Sequence, residues 1–324
     1  MTAISLPRRR LLAAAASACF VPGLAAAQPD LSQKLGPTIA DRGSTFYRFE
    51  RFALRSADGE RGYRVTLGIP RRAAPAAGYP AIFLLDGNAA LAAIDKGQLQ
   101  ALDAAQPPLI VAIGYDTDLR FDVKARAYDY TPPFPAGQED EEAGRGRKGG
   151  GADVFLDLIE REIAPRARAL APIDADRLAL WGHSYGGLFV LHTLFTRARL
   201  FSRYIAASPS LWWQRGVILD EETRFHGESA RAAKAAGVRL WVMIGDAERR
   251  ERRPASSGDA PGLAQSMMTS RAALPPQALP EMIARLNEQE GLPATLRIFP
   301  GMAHGPMLPA SLAPALRIAA GLAP

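Results

Sequence analysis

Aromatic and polar residues alternate over residues 45–54 and again over 63–69. A two-residue period predicts two strands, each with one buried face. The pattern then changes to unbroken apolar runs, Ala-Ile-Phe-Leu-Leu at 81–85 and Leu-Ile-Val-Ala-Ile at 109–113. Such runs predict strands covered on both faces. Further strands are predicted at 178–181, 204–207, 240–244 and 294–299. Between them the period lengthens. A helix is expected after residue 151, with Val154, Leu156, Leu158, Ile159 and Ile163 on one face, another from Leu188 onward, and a last one after Met307. Strands alternating with helices after an opening strand pair predict an α/β fold, a mostly parallel central sheet with helices on both faces. Active sites in such sheets lie at the carboxyl ends of the strands. Neither an internal repeat nor a long linker divides residues 28–324, which read as one domain. Residues 136–151, acidic, then basic, then glycine-rich, read as a mobile surface loop, and residues 249–277 as an insertion of unreadable structure.

The first 27 residues follow a different rule. Arg8, Arg9 and Arg10 precede an apolar stretch to Leu24, and Ala25-Ala26-Ala27 offers a small-residue cleavage site before Gln28. This is the pattern of a secretory signal, too short to span a bilayer stably. Paired arginines before Leu11 and Leu12 resemble a twin-arginine signal, which implies export in the folded state to a periplasmic or secreted location; an ordinary secretory signal is the other reading. The single cysteine, Cys19, lies in this leader, so a chain cut after Ala27 has neither a disulfide nor a thiol nucleophile. The formal charge of +6 falls to +3 without the three leader arginines, which gives no argument for nucleic acid as a partner, none being expected, and mildly favours an anionic substrate or an anionic cell surface.

Gly182-His183-Ser184-Tyr185-Gly186 stands between the apolar run ending at Trp181 and the helical stretch from Leu188. G-x-S-x-G at a strand-to-helix junction is the setting of a nucleophile elbow, a turn so tight that its flanking positions exclude bulky side chains. Ser184 is the expected nucleophile. A serine hydroxyl needs an adjacent base, and the chain has four histidines. His183 lies inside the elbow and is expected to point away from Ser184, His192 falls within the helix pattern as a packing residue, and His226 lies in a loop region without an evident task. His304, after the last strand, holds the place of the base in the order nucleophile, acid, histidine. The acid is expected after the 240–244 strand, where Glu248 and Asp246 both qualify; Glu248 is favoured by its spacing from Gly245, and a Ser184–His304 dyad without an acid stays open. Oxyanion-stabilising amides are expected at Tyr185 and at Gly87 or Asn88. With no histidine pair at ligand spacing and no cysteine past the leader, neither a metal nor a cofactor is expected.

Residues 79–89 (Tyr-Pro-Ala-Ile-Phe-Leu-Leu-Asp-Gly-Asn-Ala) resemble the oxyanion-loop strand of the esterase-D-like α/β hydrolases. Gly114-Tyr115 with Arg126-Ala127-Tyr128-Asp129-Tyr130-Thr131-Pro132, together with Ser208-Pro209-Ser210-Leu211-Trp212-Trp213 and residues 301–307, resemble the periplasmic siderophore esterases, which open the trilactone of enterobactin and its glucosylated relatives. The resemblance implies an α/β-hydrolase fold and an acyl-enzyme on Ser184. It leaves the acid open, because such esterases have been described as working with a dyad. It further implies a small-molecule partner, a siderophore in ferric or iron-free form. Arg120 and Arg126 are candidates to attract its negative charge, and Tyr128, Tyr130, Trp212 and Trp213 to stack on its catechol rings. Two readings compete: a general acyl-esterase or acyltransferase for another small ester, and a non-catalytic binding protein on the same fold.

Overall fold

The computed structural model describes residues 33–249 and 274–323, so the leader at 1–27 and nearly all of the insertion at 249–277 lie outside the described residues. Eight strands form one sheet in the order β1-β2-β4-β3-β5-β6-β7-β8. They are β1 (Tyr47–Arg55), β2 (Gly62–Pro70), β3 (Tyr79–Leu84), β4 (Leu109–Tyr115), β5 (Ile173–His183), β6 (Arg203–Ala207), β7 (Arg239–Gly245) and β8 (Ala294–Phe299). β2 pairs antiparallel with β1 and β4, and every other pairing is parallel. The alternating stretches are thus the antiparallel end of the sheet, and the unbroken apolar runs are its parallel centre.

The central runs are apolar throughout because two separate cores need them. Ala81, Phe83, Val111, Leu180 and Val242 face one core, and Ile82, Leu84, Ile110, Ala179, Trp181 and Met243 face the other. The helices follow in chain order: α1 (Ile39–Arg42), α2 (Gly87–Ala93), α3 (Lys96–Asp103), α4 (Val123–Tyr130), α5 (Ala152–Leu158), α6 (Ala164–Leu170), α7 (Tyr185–Arg197), α8 (Val217–Phe225), α9 (Glu228–Ala235), α10 (Ala278–Glu288) and α11 (Met307–Ala319). α2, α3 and α11 cover the second core; α4 to α8 cover the first.

Three expectations, for Val154, residues 136–151 and His226, need correction. The helix after residue 151 runs through a π-turn at Ile159–Ile163 into α6, and its buried stripe is Phe155, Leu156, Ile159 and Ile163. Val154 is 50% exposed, because the stripe passes through Phe155 and leaves position 154 facing solvent. The Asp86-Gly87-Asn88 segment opens α2 as well as turning the chain. Residues 136–151 are fastened at their centre, since Glu142 is fully buried against the Arg145 and Arg147 guanidiniums at 2.5 and 2.6 Å. His226 likewise ends α8, its Nδ1 2.9 Å from Glu290 and its Nε2 3.3 Å from Glu222.

Candidate active site

β5 ends at His183 and α7 begins at Tyr185, leaving Ser184 alone to make the turn with φ 61° and ψ −115°. That backbone is costly for a non-glycine residue and is held by its neighbours. Ser184 N–H donates to Ala207 C=O at 2.9 Å, and Ser184 C=O accepts from Leu188 and Ser210. A Cβ at position 182 would come within 2.4 Å of Gly186 O, and one at 187 within 2.7 Å of Ala207 O. A Cβ at 186 would meet only ordinary contacts, 3.5 Å at the nearest. The steric demand therefore falls on Gly182 and Gly187, one residue beyond the five-residue motif.

The structure brings the carboxyl ends of β5, β7 and β8 together around the serine. His304 Nε2 lies 3.1 Å from Ser184 Oγ, across 120 residues of chain. His304 Nδ1 lies 3.0 Å from Glu248 Oε2. A carboxylate only accepts, so Nδ1 carries the proton and Nε2 is left as acceptor for the serine hydroxyl. Glu248 Oε1 takes two further donors, Gly245 N–H and Ser208 Oγ–H, both at 2.7 Å. Burial pushes the Glu248 carboxyl up, but the His304 ring and these donors outweigh it and hold it below its ordinary range. Of the two carboxylates in this turn, Asp246 points elsewhere and accepts from Gly301 N–H at 2.7 Å. His183 contributes from behind. Its Nε2–H donates to His304 C=O at 2.9 Å, and burial followed by the neighbouring His304 keeps its own pKa well below the ordinary value. A neutral ring is what that donation requires without adding a second positive charge.

Tyr185 and Gly87 are the first residues of α7 and α2, and first-turn amides have no acceptor within their own helix. Asp86, just before Gly87, has φ 48° and ψ 47° and is almost fully buried. Arg126 grips its carboxylate through Nε and Nη2, both at 2.9 Å, while Asp86 N–H donates to Tyr130 Oη at 2.9 Å. Arg126 Nη2 also reaches His183 C=O at 3.5 Å. Arg126 and Tyr130 thus hold the strained residue that leads into the Gly87 turn. The Asn88 side chain ties down the neighbouring loop, donating to Tyr115 C=O and Leu119 C=O at 3.1 Å each.

The other expected contacts divide. The Tyr185 ring stands 6.1 Å from Trp212, with Arg145 over Trp212 at 5.6 Å and Arg126 over Tyr185 at 5.4 Å. Tyr185 Oη donates to Glu142 at 2.7 Å, which joins the 136–151 segment to the elbow. Trp213 is fully buried against Phe134 and Tyr130 is fully buried too, so both belong to the core and offer no ring face to a ligand. The Tyr128 ring is contacted by two cations of the chain itself, Arg61 at 4.3 Å and Lys148 at 5.0 Å. Arg120 donates to Gln33 at 2.7 Å. Sequence reasoning missed Asp86, Ser208, Ser210, Glu142, Arg145 and Arg147. The only signal for the last two was the basic half of the 136–151 segment.

The family described as "Putative esterase" matches residues 56–272 of the chain. The apo-salmochelin esterase of Escherichia coli is 38% identical over 291 residues, 90% of this chain and 84% of the relative. The ferri-bacillibactin esterase BesA of Bacillus subtilis is 32% identical over 273 residues, 82% of this chain and 87% of the relative. Among solved structures, the enterobactin hydrolase IroE in complex with DFP superposes with a TM-score of 0.67 at 36% identity, covering 87% of this chain and 99% of the other. Among the described residues no helix is long and apolar enough to cross a membrane. The chain belongs to this esterase family and is a serine hydrolase of the α/β-hydrolase fold.

Proposed function

We propose that this protein is an exported esterase that opens the ester bonds of a catecholate siderophore trilactone through an acyl-enzyme. Ser184 is the nucleophile, His304 the base and Glu248 the acid that orients it. His304 Nε2 takes the Ser184 proton as Oγ bonds to the ester carbon, and the carbonyl oxygen gains negative charge. The amides of Tyr185 and of Gly87 or Asn88 receive that charge. Collapse expels the alcohol, which leaves with the proton from His304. Water then repeats the sequence on the acyl-enzyme and regenerates the Ser184 hydroxyl.

The observation that carries the chemistry is the line Ser184 Oγ, His304 Nε2, His304 Nδ1, Glu248 Oε2, with contacts of 3.1 and 3.0 Å. The substrate class is supported by relatives named for salmochelin and bacillibactin that align along most of the chain. Beside the elbow, Trp212 offers a surface for a catechol ring and Arg145 and Arg147 a field for its negative charge. Export is supported by the leader at 1–27, with its arginine triplet and alanine cleavage site; a mature chain that does not start near Gln28 would count against it. The central test assays Ser184→Ala and the parent protein on enterobactin, its linear fragments and p-nitrophenyl acetate. Loss of all three activities with an unchanged circular dichroism spectrum is expected. Residual turnover overturns the nucleophile assignment, and a parent enzyme without preference for the trilactone overturns the substrate.

A further inference from the structure

The turn after β6 touches both ends of the catalytic line. Ser208 Oγ–H donates to Glu248 Oε1 at 2.7 Å. Two residues on, Ser210 Oγ lies 3.3 Å from Ser184 Oγ, and Ser210 N–H donates to Ser184 C=O at 3.2 Å. Both serines are buried, and Ser208 is held at φ 45°, a backbone that a non-glycine residue adopts only under constraint. Its N–H donates to Met243 C=O at 2.7 Å, and a Cβ at Gly187 would meet Pro209 at 3.0 Å. The turn is therefore wedged between the acid loop and the elbow helix, where neither hydroxyl can drift.

We infer that Ser210 is a further catalytic residue, donating a hydrogen bond to the oxygen of the nucleophile, and that Ser208 is a positioning residue for the acid. The direction of the first bond follows from proton counting. His304 Nδ1–H is committed to Glu248, so Nε2 accepts the single proton of Ser184, and the proton in the 3.3 Å contact belongs to Ser210. At 3.3 Å this bond is slack, since hydroxyl pairs settle at about 2.7–2.8 Å. When Ser184 gives its proton to His304, Oγ gains negative charge, and a bond to a charged acceptor shortens and strengthens. Ser210 is thus worth more in the transition state than at rest, the condition for acceleration. The same oxygen carries charge again when the bond from the acyl carbon to Oγ breaks in deacylation and Oγ departs with the electron pair. Ser210 serves both steps.

This inference rests on Ser184 being the nucleophile and is tested apart from it. Pre-steady-state hydrolysis of p-nitrophenyl acetate by Ser210→Ala is expected to show acylation and deacylation slowed by the same factor, roughly 10- to 100-fold. The burst amplitude and KM stay as in the parent. Labelling by a fluorophosphonate, which needs the nucleophile but no ester pocket, slows in parallel. Parent-like rate constants, or a change confined to KM, overturn the role of Ser210. Ser208→Gly relieves the strained backbone while removing the hydroxyl. The inference expects a melting temperature no lower than the parent's with kcat reduced at least fivefold; an unchanged kcat removes Ser208 from the machinery. An active Ser184→Ala would sink this inference and the proposed mechanism together, whereas an inactive Ser184→Ala beside a fully active Ser210→Ala sinks this inference alone.

Discussion

Glu248, the proposed acid, has a role that rests on being held rather than on reacting. One oxygen faces His304 at 3.0 Å and the other is filled by Gly245 N–H and the Ser208 hydroxyl, so the carboxylate presents a fixed acceptor in its ionised form. Because these partners hold its pKa below the ordinary value despite burial, it stays charged as pH falls into the mildly acidic range. Glu248→Gln keeps the shape but removes the charge that stabilises imidazolium. Its kcat on p-nitrophenyl acetate is expected to fall by roughly 10²- to 10⁴-fold with KM little changed, as measured by steady-state kinetics. A variant with parent-like kcat would leave Ser184 and His304 working as a dyad. At this scale the sequence was partly legible. The glycines around Ser184 marked the tight turn found there, and the place of His304 after the last strand fits the ring that reaches Ser184 at 3.1 Å. Glu248 and Asp246 share one short turn, and only the path of the β8 loop, which gives Gly301 N–H to Asp246 and the His304 ring to Glu248, tells them apart. The grip of Arg126 on Asp86 was illegible because its partners lie 40 residues apart and are joined only by folding.

Among the secondary-structure elements, α7 is the hinge of the design, and His192 near its middle is more than packing. Its ring is fully buried, with Nδ1 2.9 Å from Glu221 on α8 and Nε2 3.2 Å from Asp153 on α5. Burial alone would lower its pKa, but the two carboxylates outweigh that and raise it from 6.5 to about 9. A histidine whose folded pKa is raised stabilises fully below its unfolded value near 6.5, and that contribution fades as pH climbs through about 9. His192→Gln is therefore expected to destabilise the protein at pH 6 by on the order of 2 kcal/mol, with part of the coupling lost because Asp153 is half exposed. At pH 10 the difference should shrink toward zero. Urea unfolding at the two pH values measures both, and an equal loss at each would mean that the ion pairs contribute nothing. Sequence periodicity placed His192 on a buried helix but could not reveal its charge, since Asp153 and Glu221 come from helices on either side. The misreading of Val154 has a similar origin. Apolar residues at 154, 156, 158 and 159 fit more than one stripe, and the sheet and α7 select the one through Phe155.

Taken as a whole molecule, the chain gathers its proposed catalytic groups on one edge of the sheet. Ser184, Ser208, Glu248 and His304 follow the carboxyl ends of β5, β6, β7 and β8, and Gly87 follows that of β3. That much follows from a parallel sheet and was readable from the alternation of strands and helices. The charge around this edge was not. Asp86 neutralises Arg126, whereas Arg145 and Arg147 place two guanidiniums on the one buried carboxylate of Glu142, beside Tyr185 and Trp212. A fixed positive charge next to the proposed nucleophile raises the local concentration of an anionic substrate, and salt screens it, with a Debye length of about 30 Å at 0.01 M and about 10 Å at 0.1 M. Catecholates become strongly anionic on binding iron. If the cluster steers substrate, kcat/KM for a ferric catecholate trilactone should fall roughly 3- to 10-fold as sodium chloride rises from about 10 mM to about 300 mM. The iron-free trilactone should fall less, and neutral p-nitrophenyl acetate hardly at all. Replacing Arg147 by Gln, which leaves Arg145 to pair with Glu142, should flatten the ferric curve toward the neutral one. Identical salt curves for the ferric complex and the neutral ester would show that the arginines only fasten the 136–151 segment to the elbow, and that recognition rests on shape and ring stacking.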